Sequence, residues 1–140
     1  MRQILLFAAL AASLALLSGC ALSKAKEDKA EDMPDKAAYH KISAEEAYEM
    51  MASQEVVVVD VRTREEYDGG HIENAVLVPN ESIGSEIPEA LPDKEATLLI
   101  YCRSGRRSKD AAQKLLALGY QSVYDFGGVI DWPYELVKEG

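Results

Sequence analysis

Four consecutive valines, Val56 to Val59, followed by Asp60, constrain the fold more than any other stretch of the chain. Branching at Cβ favours extended backbone. A strand with one wet face alternates apolar and polar residues. This run does not alternate, so both of its faces must be covered, as in a parallel sheet between helices. Thr97-Leu98-Leu99-Ile100-Tyr101 is a second run of the same kind. Ala75 to Val78, closed by Pro79, and Gln121 to Tyr124 are shorter strand candidates. Helical patterns fall between them. Ser43-Ala44-Glu45-Glu46 is a capping box that opens a helix over Ala44 to Ala52. Arg107 to Leu118 reads as a helix stopped by Gly119 in the left-handed conformation. Glu81 to Ala90 reads as a weak helix closed by the turn Leu91-Pro92-Asp93-Lys94, and Val129 to Val137 as a last helix interrupted near Pro133. Asp68-Gly69-Gly70 and Gly127-Gly128 mark turns. Strands alternating with helices predict an α/β layer fold with a largely parallel sheet. In such sheets, sites form beyond the carboxyl ends of the strands.

One such end carries the densest chemistry in the chain, Cys102-Arg103-Ser104-Gly105-Arg106-Arg107-Ser108. A cysteine sits where a buried strand gives way to a helix. Backbone N–H groups at a helix N-terminus lack intrahelical partners and carry partial positive charge. A thiolate held there is stabilised, and its pKa falls from about 8.5 towards or below neutrality. Free cysteine is usually a small buried hydrophobe. Three neighbouring arginines argue against an apolar burial here and for a nucleophile that handles anions.

The first residues form a targeting segment. Ile4 to Leu17 is almost wholly apolar, shorter than a membrane span and closed by small residues. Leu17-Ser18-Gly19-Cys20 resembles a bacterial lipobox, which implies a signal peptide over 1–19 and acylation of Cys20. Several acyl chains would hold the protein firmly in a membrane. The expectation is a lipid-anchored protein of the cell envelope, facing the periplasm from the outer membrane if the source is Gram-negative, since Ala21 is not the aspartate of inner-membrane retention. Residues 20–38 are small and charged, a flexible tether, and 39–140 form one domain. With Cys20 acylated, Cys102 has no disulfide partner, and an unpaired thiol in an oxidising compartment points to chemistry. The net charge of −9 makes nucleic acid a poor partner, because phosphate contacts need a basic face. Arginines gathered beside one cysteine on an acidic body suit a small anionic substrate.

Three blocks resemble the rhodanese homology domain in its single-domain sulfurtransferase form. The first is Val59-Asp60-Val61-Arg62 with Glu65-Glu66-Tyr67 and Gly70-His71-Ile72-Glu73-Asn74-Ala75. The second is Ile100 to Ser108; the third is Gly119-Tyr120, Val123-Tyr124 and Gly127-Gly128-Val129-Ile130-Asp131-Trp132. The resemblance implies a five-stranded, mostly parallel sheet with helices on both faces and a six-residue active loop, Cys102 to Arg107. It implies that Cys102 takes sulfur from an anionic donor such as thiosulfate, becomes a persulfide and passes the sulfur to cyanide or a thiol, with no metal or other cofactor. Arg103, Ser104, Gly105, Arg106 and Arg107 would bind the donor, with the contacting arginine left open. The related cell-cycle phosphatases have a loop one residue longer, with their phosphate-binding arginine six positions after the cysteine. Here that position is Ser108, and Arg107 stands five positions after Cys102.

Other residues take structural roles. Asp60 and Arg62 read as a pair that organises loops at the sheet edge. Ser108 either caps the helix, the favoured role, or touches substrate. His71 belongs to a structural turn, His40 to the surface, and Trp132 and Tyr134 to packing. Histidine and cysteine spacings offer no metal site. A monomer is the expected state. The competing reading is a non-catalytic module that uses the loop to sense anions or dock a partner; a thiol-redox role lacks its Cys-x-x-Cys pair.

Overall fold

The computed structural model describes residues 38–139. The expected signal segment 1–19, the expected acylation site Cys20 and the expected tether up to residue 37 lie outside the described residues. Five strands, β1 (Ala38–Lys41), β2 (Val57–Asp60), β3 (Val76–Leu77), β4 (Thr97–Cys102) and β5 (Ser122–Gly128), form one sheet in the order β1-β5-β4-β2-β3. Every pairing in it is parallel. The one antiparallel contact among the described residues is a bridge between His71 and Val137 outside the named strands.

Both faces of the sheet are covered, as the valine run requires. Val59, Ile100 and Cys102 point to one side, where they meet Ala111, Ala112 and Leu115 of helix α3 (Arg106–Ala117). Val58, Leu99 and Tyr101 point to the other. There they meet Ala47 of α1 (Ala44–Ser53), Tyr67 of the short helix α2 (Arg64–Asp68), and Phe126. Each aliphatic side chain buried this way contributes about 1.5–3 kcal/mol. The capping box of α1 is formed as expected, with Ser43 Oγ accepting from the Glu46 N–H (3.1 Å) and Glu46 accepting from the Ser43 N–H (2.7 Å).

Several elements differ from the sequence expectation, each for a definable physical reason. β1 was not foreseen as a strand; it exists through pairing with β5, far along the chain. A short helix that no helical period marked, α2, leads into the turn expected at Asp68-Gly69-Gly70, and a second capping box, Thr63 with Glu66, opens it. Glu81 to Ala90 is not helical beyond the 3-10 turn Asn80–Ser82, because Gly84 and Pro88 interrupt the stretch. The last helix is only the 3-10 turn Val129–Asp131; Pro133 pushes Trp132 into extended backbone, and the chain then runs to the Val137 bridge. Gly127-Gly128 likewise continues β5 rather than turning, after a register slip between Ile100 and Tyr101 of β4. Such bulges re-aim backbone beside functional sites.

Candidate active site

Cys102 is the last residue of β4 and Arg106 the first of α3, so three residues, Arg103, Ser104 and Gly105, make the connection. Gly105 turns the chain with φ of 97°, a left-handed conformation that side chains resist. The loop lies directly on the end of β5. A methyl group at Gly128 would stand 2.1 Å from the Arg103 carbonyl oxygen and 2.6 Å from Ser104 Cα. Only glycine allows that approach. The Arg103 carbonyl also accepts from the Ile130 N–H (3.2 Å), which fixes the outer side of the loop.

The sulfur lies under this loop. Its residue is 1% exposed, contrary to the expectation that flanking arginines would keep it from burial. The reason is alternation at the strand end: Cys102 faces inward, while Arg103, Ser104 and Arg106 face solvent. The Gly105 N–H donates to Sγ at 3.0 Å. Burial by itself pushes the thiol pKa up. The N–H groups of Ser108, Gly105 and Ser104, with the Ser108 hydroxyl beside them, outweigh it, and the thiol pKa lies below its ordinary value. A set of convergent main-chain donors of this kind is an anion nest. Its occupant here is the sulfur.

Ser108 does not cap α3. The capping position is Gly105, without a side chain, and Ser108 is the third helical residue, fully buried. Its hydroxyl donates to Asp125 Oδ1 (2.7 Å), an acceptor that the sequence reading did not single out. Asp125 also accepts from the Gly127 N–H (2.8 Å) and the Tyr39 hydroxyl (2.6 Å), with Lys41 Nζ at 3.4 Å. One buried carboxylate therefore ties β1, β5 and the first turn of α3 together beneath the loop.

The arginines divide. Arg107, expected with the others at the donor, instead forms a two-bonded fork with Glu66 (2.8 Å each). The pair is the same Glu66 that closes the capping box of α2, and the Arg107 contact holds its carboxyl down to about 2. Arg107 also feels the Cys102 charge, so it adds to the positive field at the sulfur while paired with Glu66. Asp60 and Arg62 form a buried pair (2.6 Å), and Arg62 also donates to the Gly70 carbonyl (2.8 Å). The Tyr101 hydroxyl donates to Asp60 (2.6 Å) and accepts from the Ile72 N–H (3.1 Å), so this network fixes the residue before Cys102. β2 is an inner strand, so the pair braces the carboxyl end of the sheet rather than its outer edge. His71 stacks on Tyr67 (3.7 Å) and bonds the Tyr67 carbonyl through Nδ1 (3.0 Å), away from the sulfur's face. His40 stacks on Tyr124 (4.8 Å).

The rhodanese-like domain model matches residues 43–133, which include the loop, the Asp60 network and the Gly127-Gly128 platform. The chain belongs to the rhodanese-like domain family. A curated relative, the tRNA uridine(34) hydroxylase of Yersinia pestis (strain Pestoides F), is 31% identical over 106 residues, covering 72% of this chain. The chain spans 30% of that relative's length, so the match concerns one part of a longer protein. Among solved rhodanese folds, the rhodanese-like domain protein of Staphylococcus aureus is 32% identical with a TM-score of 0.62, covering 72% of this chain and 99% of that one. The thiosulfate sulfurtransferase of Pseudomonas aeruginosa is 26% identical with a TM-score of 0.63, covering 73% of this chain and 21% of that one. The fold is thus a rhodanese-like five-stranded parallel α/β fold with sulfurtransferase-type neighbours.

Proposed function

We propose that this rhodanese-like domain transfers sulfane sulfur through a Cys102 persulfide, with thiosulfate or a similar anion as donor. The observation that carries the reading is the convergence of loop N–H groups on Sγ. The thiolate attacks the outer sulfur of the donor. A sulfur–sulfur bond forms to Cys102, the donor's own sulfur–sulfur bond breaks, and sulfite leaves with the electron pair. Cyanide or a thiolate then attacks the outer sulfur of the persulfide, taking it away and returning the Cys102 thiolate. Splitting one displacement into two is what covalent catalysis supplies. The nest holds negative charge on sulfur before the first step and after the second. Arg103 and Arg106, both exposed at the mouth, attract the anionic end of the donor. Acylation at Cys20 would place this chemistry at an envelope membrane.

The hydroxylase relative's nucleic-acid substrate is not carried over, because a chain of net charge −9 offers no basic face for RNA. The near-complete burial of Cys102 favours the second reading, a module that binds anions or a partner without turnover. Incubation with thiosulfate, followed by mass spectrometry of the Cys102 peptide, separates the two. Sulfur transfer predicts a gain of one sulfur atom, about 32 Da, with equimolar sulfite released. Neither signal would be seen from the module.

A further inference from the structure

A cavity of about 860 Å³ opens on the opposite side of the sheet from Cys102, between α1, β2 and the segment Trp132 to Glu135. That is the size of a small-molecule site. Its floor is apolar, from Met51, Val58 and Ile72. Its wall is aromatic. Tyr48 and Tyr134 stack at 3.9 Å, and Trp132 stands edge-on to Tyr134 at 4.9 Å. Two of these rings reach solvent, Tyr48 at 46% exposure and Tyr134 at 36%. Large aromatic side chains left at the mouth of a hollow have surface available for a ligand.

The electrostatics select the ligand's sign. Glu73 and Glu135 line the same cavity, both exposed, and no lysine, arginine or histidine lines it. Neither glutamate joins an ion pair among the described residues. Aromatic faces carry the negative part of the ring quadrupole and attract cations. Unpaired carboxylates repel anions and attract cations, while the rings and the apolar floor take up hydrocarbon, so the cavity suits best a positive charge clothed in methyl or methylene groups. The wall is also held in place before any ligand arrives. Just before Trp132, the Ile130 N–H is bonded to the Arg103 carbonyl (3.2 Å); after Glu135, Val137 and His71 exchange two backbone bonds (2.9 and 2.8 Å).

We propose that this cavity binds a small organic cation of the alkylated ammonium class, at a site separate from the sulfur chemistry. Trp132 is the only tryptophan of the chain, so its fluorescence reports occupancy directly. The probe is choline, titrated into the full chain beside its uncharged carbon counterpart, 3,3-dimethylbutan-1-ol. The expected result is a saturable change with choline and binding weaker by about tenfold or more for the neutral compound. The double variant Glu73→Gln, Glu135→Gln leaves the core untouched and should weaken choline several-fold, with an unchanged circular dichroism spectrum. Tyr48→Ala, which removes one ring of the wall, should weaken it as well. Equal affinity for the neutral compound, an unaltered affinity in the double variant, or no saturable response to choline would overturn the proposal.

Discussion

Replacing Gly128 with alanine tests whether the close seat of the loop on β5 matters to the chemistry. Gly128 has φ of −120° and ψ of 145°, angles that alanine adopts freely, so the change introduces no backbone strain. Its effect is steric alone. The new Cβ would stand 2.1 Å from the Arg103 oxygen and 2.6 Å from both Arg103 C and Ser104 Cα. Relieving such an overlap requires the loop to lift by about 1 Å, since non-bonded carbon contacts lie near 3.5 Å. The lift breaks the Ile130–Arg103 bond (3.2 Å) and lengthens the Gly105 N–H to Sγ bond (3.0 Å). A misplacement of about 1 Å costs on the order of 100-fold in rate, and overpacking costs about 1–3 kcal/mol of stability. Gly128→Ala should therefore fold, lose about two orders of magnitude in kcat/KM for thiosulfate, and show a Cys102 thiol that titrates higher. Gly84→Ala is the control, since nothing lies within 4 Å of its added methyl. It should keep full activity. A Gly128→Ala protein within about threefold of the parent, with the same thiol titration, would refute the reasoning.

Glu66 supplies a pH test. Its pKa is lowered from 4.5 to about 2 by Arg107, so the pair stabilises the fold above pH 4.5 and loses that contribution as pH falls towards 2. With both side chains over a fifth exposed to water, the contribution is about 1–2 kcal/mol. Glu66→Gln, which keeps the capping box, should be less stable by that amount at pH 7 and equal to the parent near pH 2 in urea melts; a gap independent of pH would contradict this. Arg103→Ala and Arg106→Ala should raise KM for thiosulfate more than for an uncharged persulfide donor, whereas equal effects on both donors would remove these arginines from donor binding. Asp125→Asn leaves Ser108, Tyr39 and the Gly127 N–H competing for one carbonyl and should cost about 2–3 kcal/mol in denaturant unfolding, against less than about 0.5 if the carboxylate is dispensable.

What the chain made legible was whatever depends on neighbours in sequence. The valine run announced a covered parallel strand because its composition alone excludes a wet face. Ser43 and Glu46 announced α1, and Gly119, with φ of 97°, ended α3 as expected. Long-range partners were not legible. β1 is three half-buried residues and the exposed Lys41, with no pattern of its own, and only β5 gives it a reason to be extended. α2 carried its signal in Thr63 and Glu66, but five residues are too few for a helical period to show. The family blocks located Cys102, yet its burial followed from strand alternation, against the arginine signal. Nothing near Arg107 or Ser108 in the sequence announced Glu66 or Asp125, because both are supplied by other segments of the fold.

The ionisation of Cys102 is the claim on which sulfur transfer rests. Its rate of alkylation by iodoacetamide across pH, read on the Cys102 peptide, measures it most directly. Donation from the loop N–H groups predicts a half-point below the ordinary thiol value of about 8.5. A half-point at or above that value, or a sulfur that no small alkylating reagent reaches in the folded protein, would contradict it.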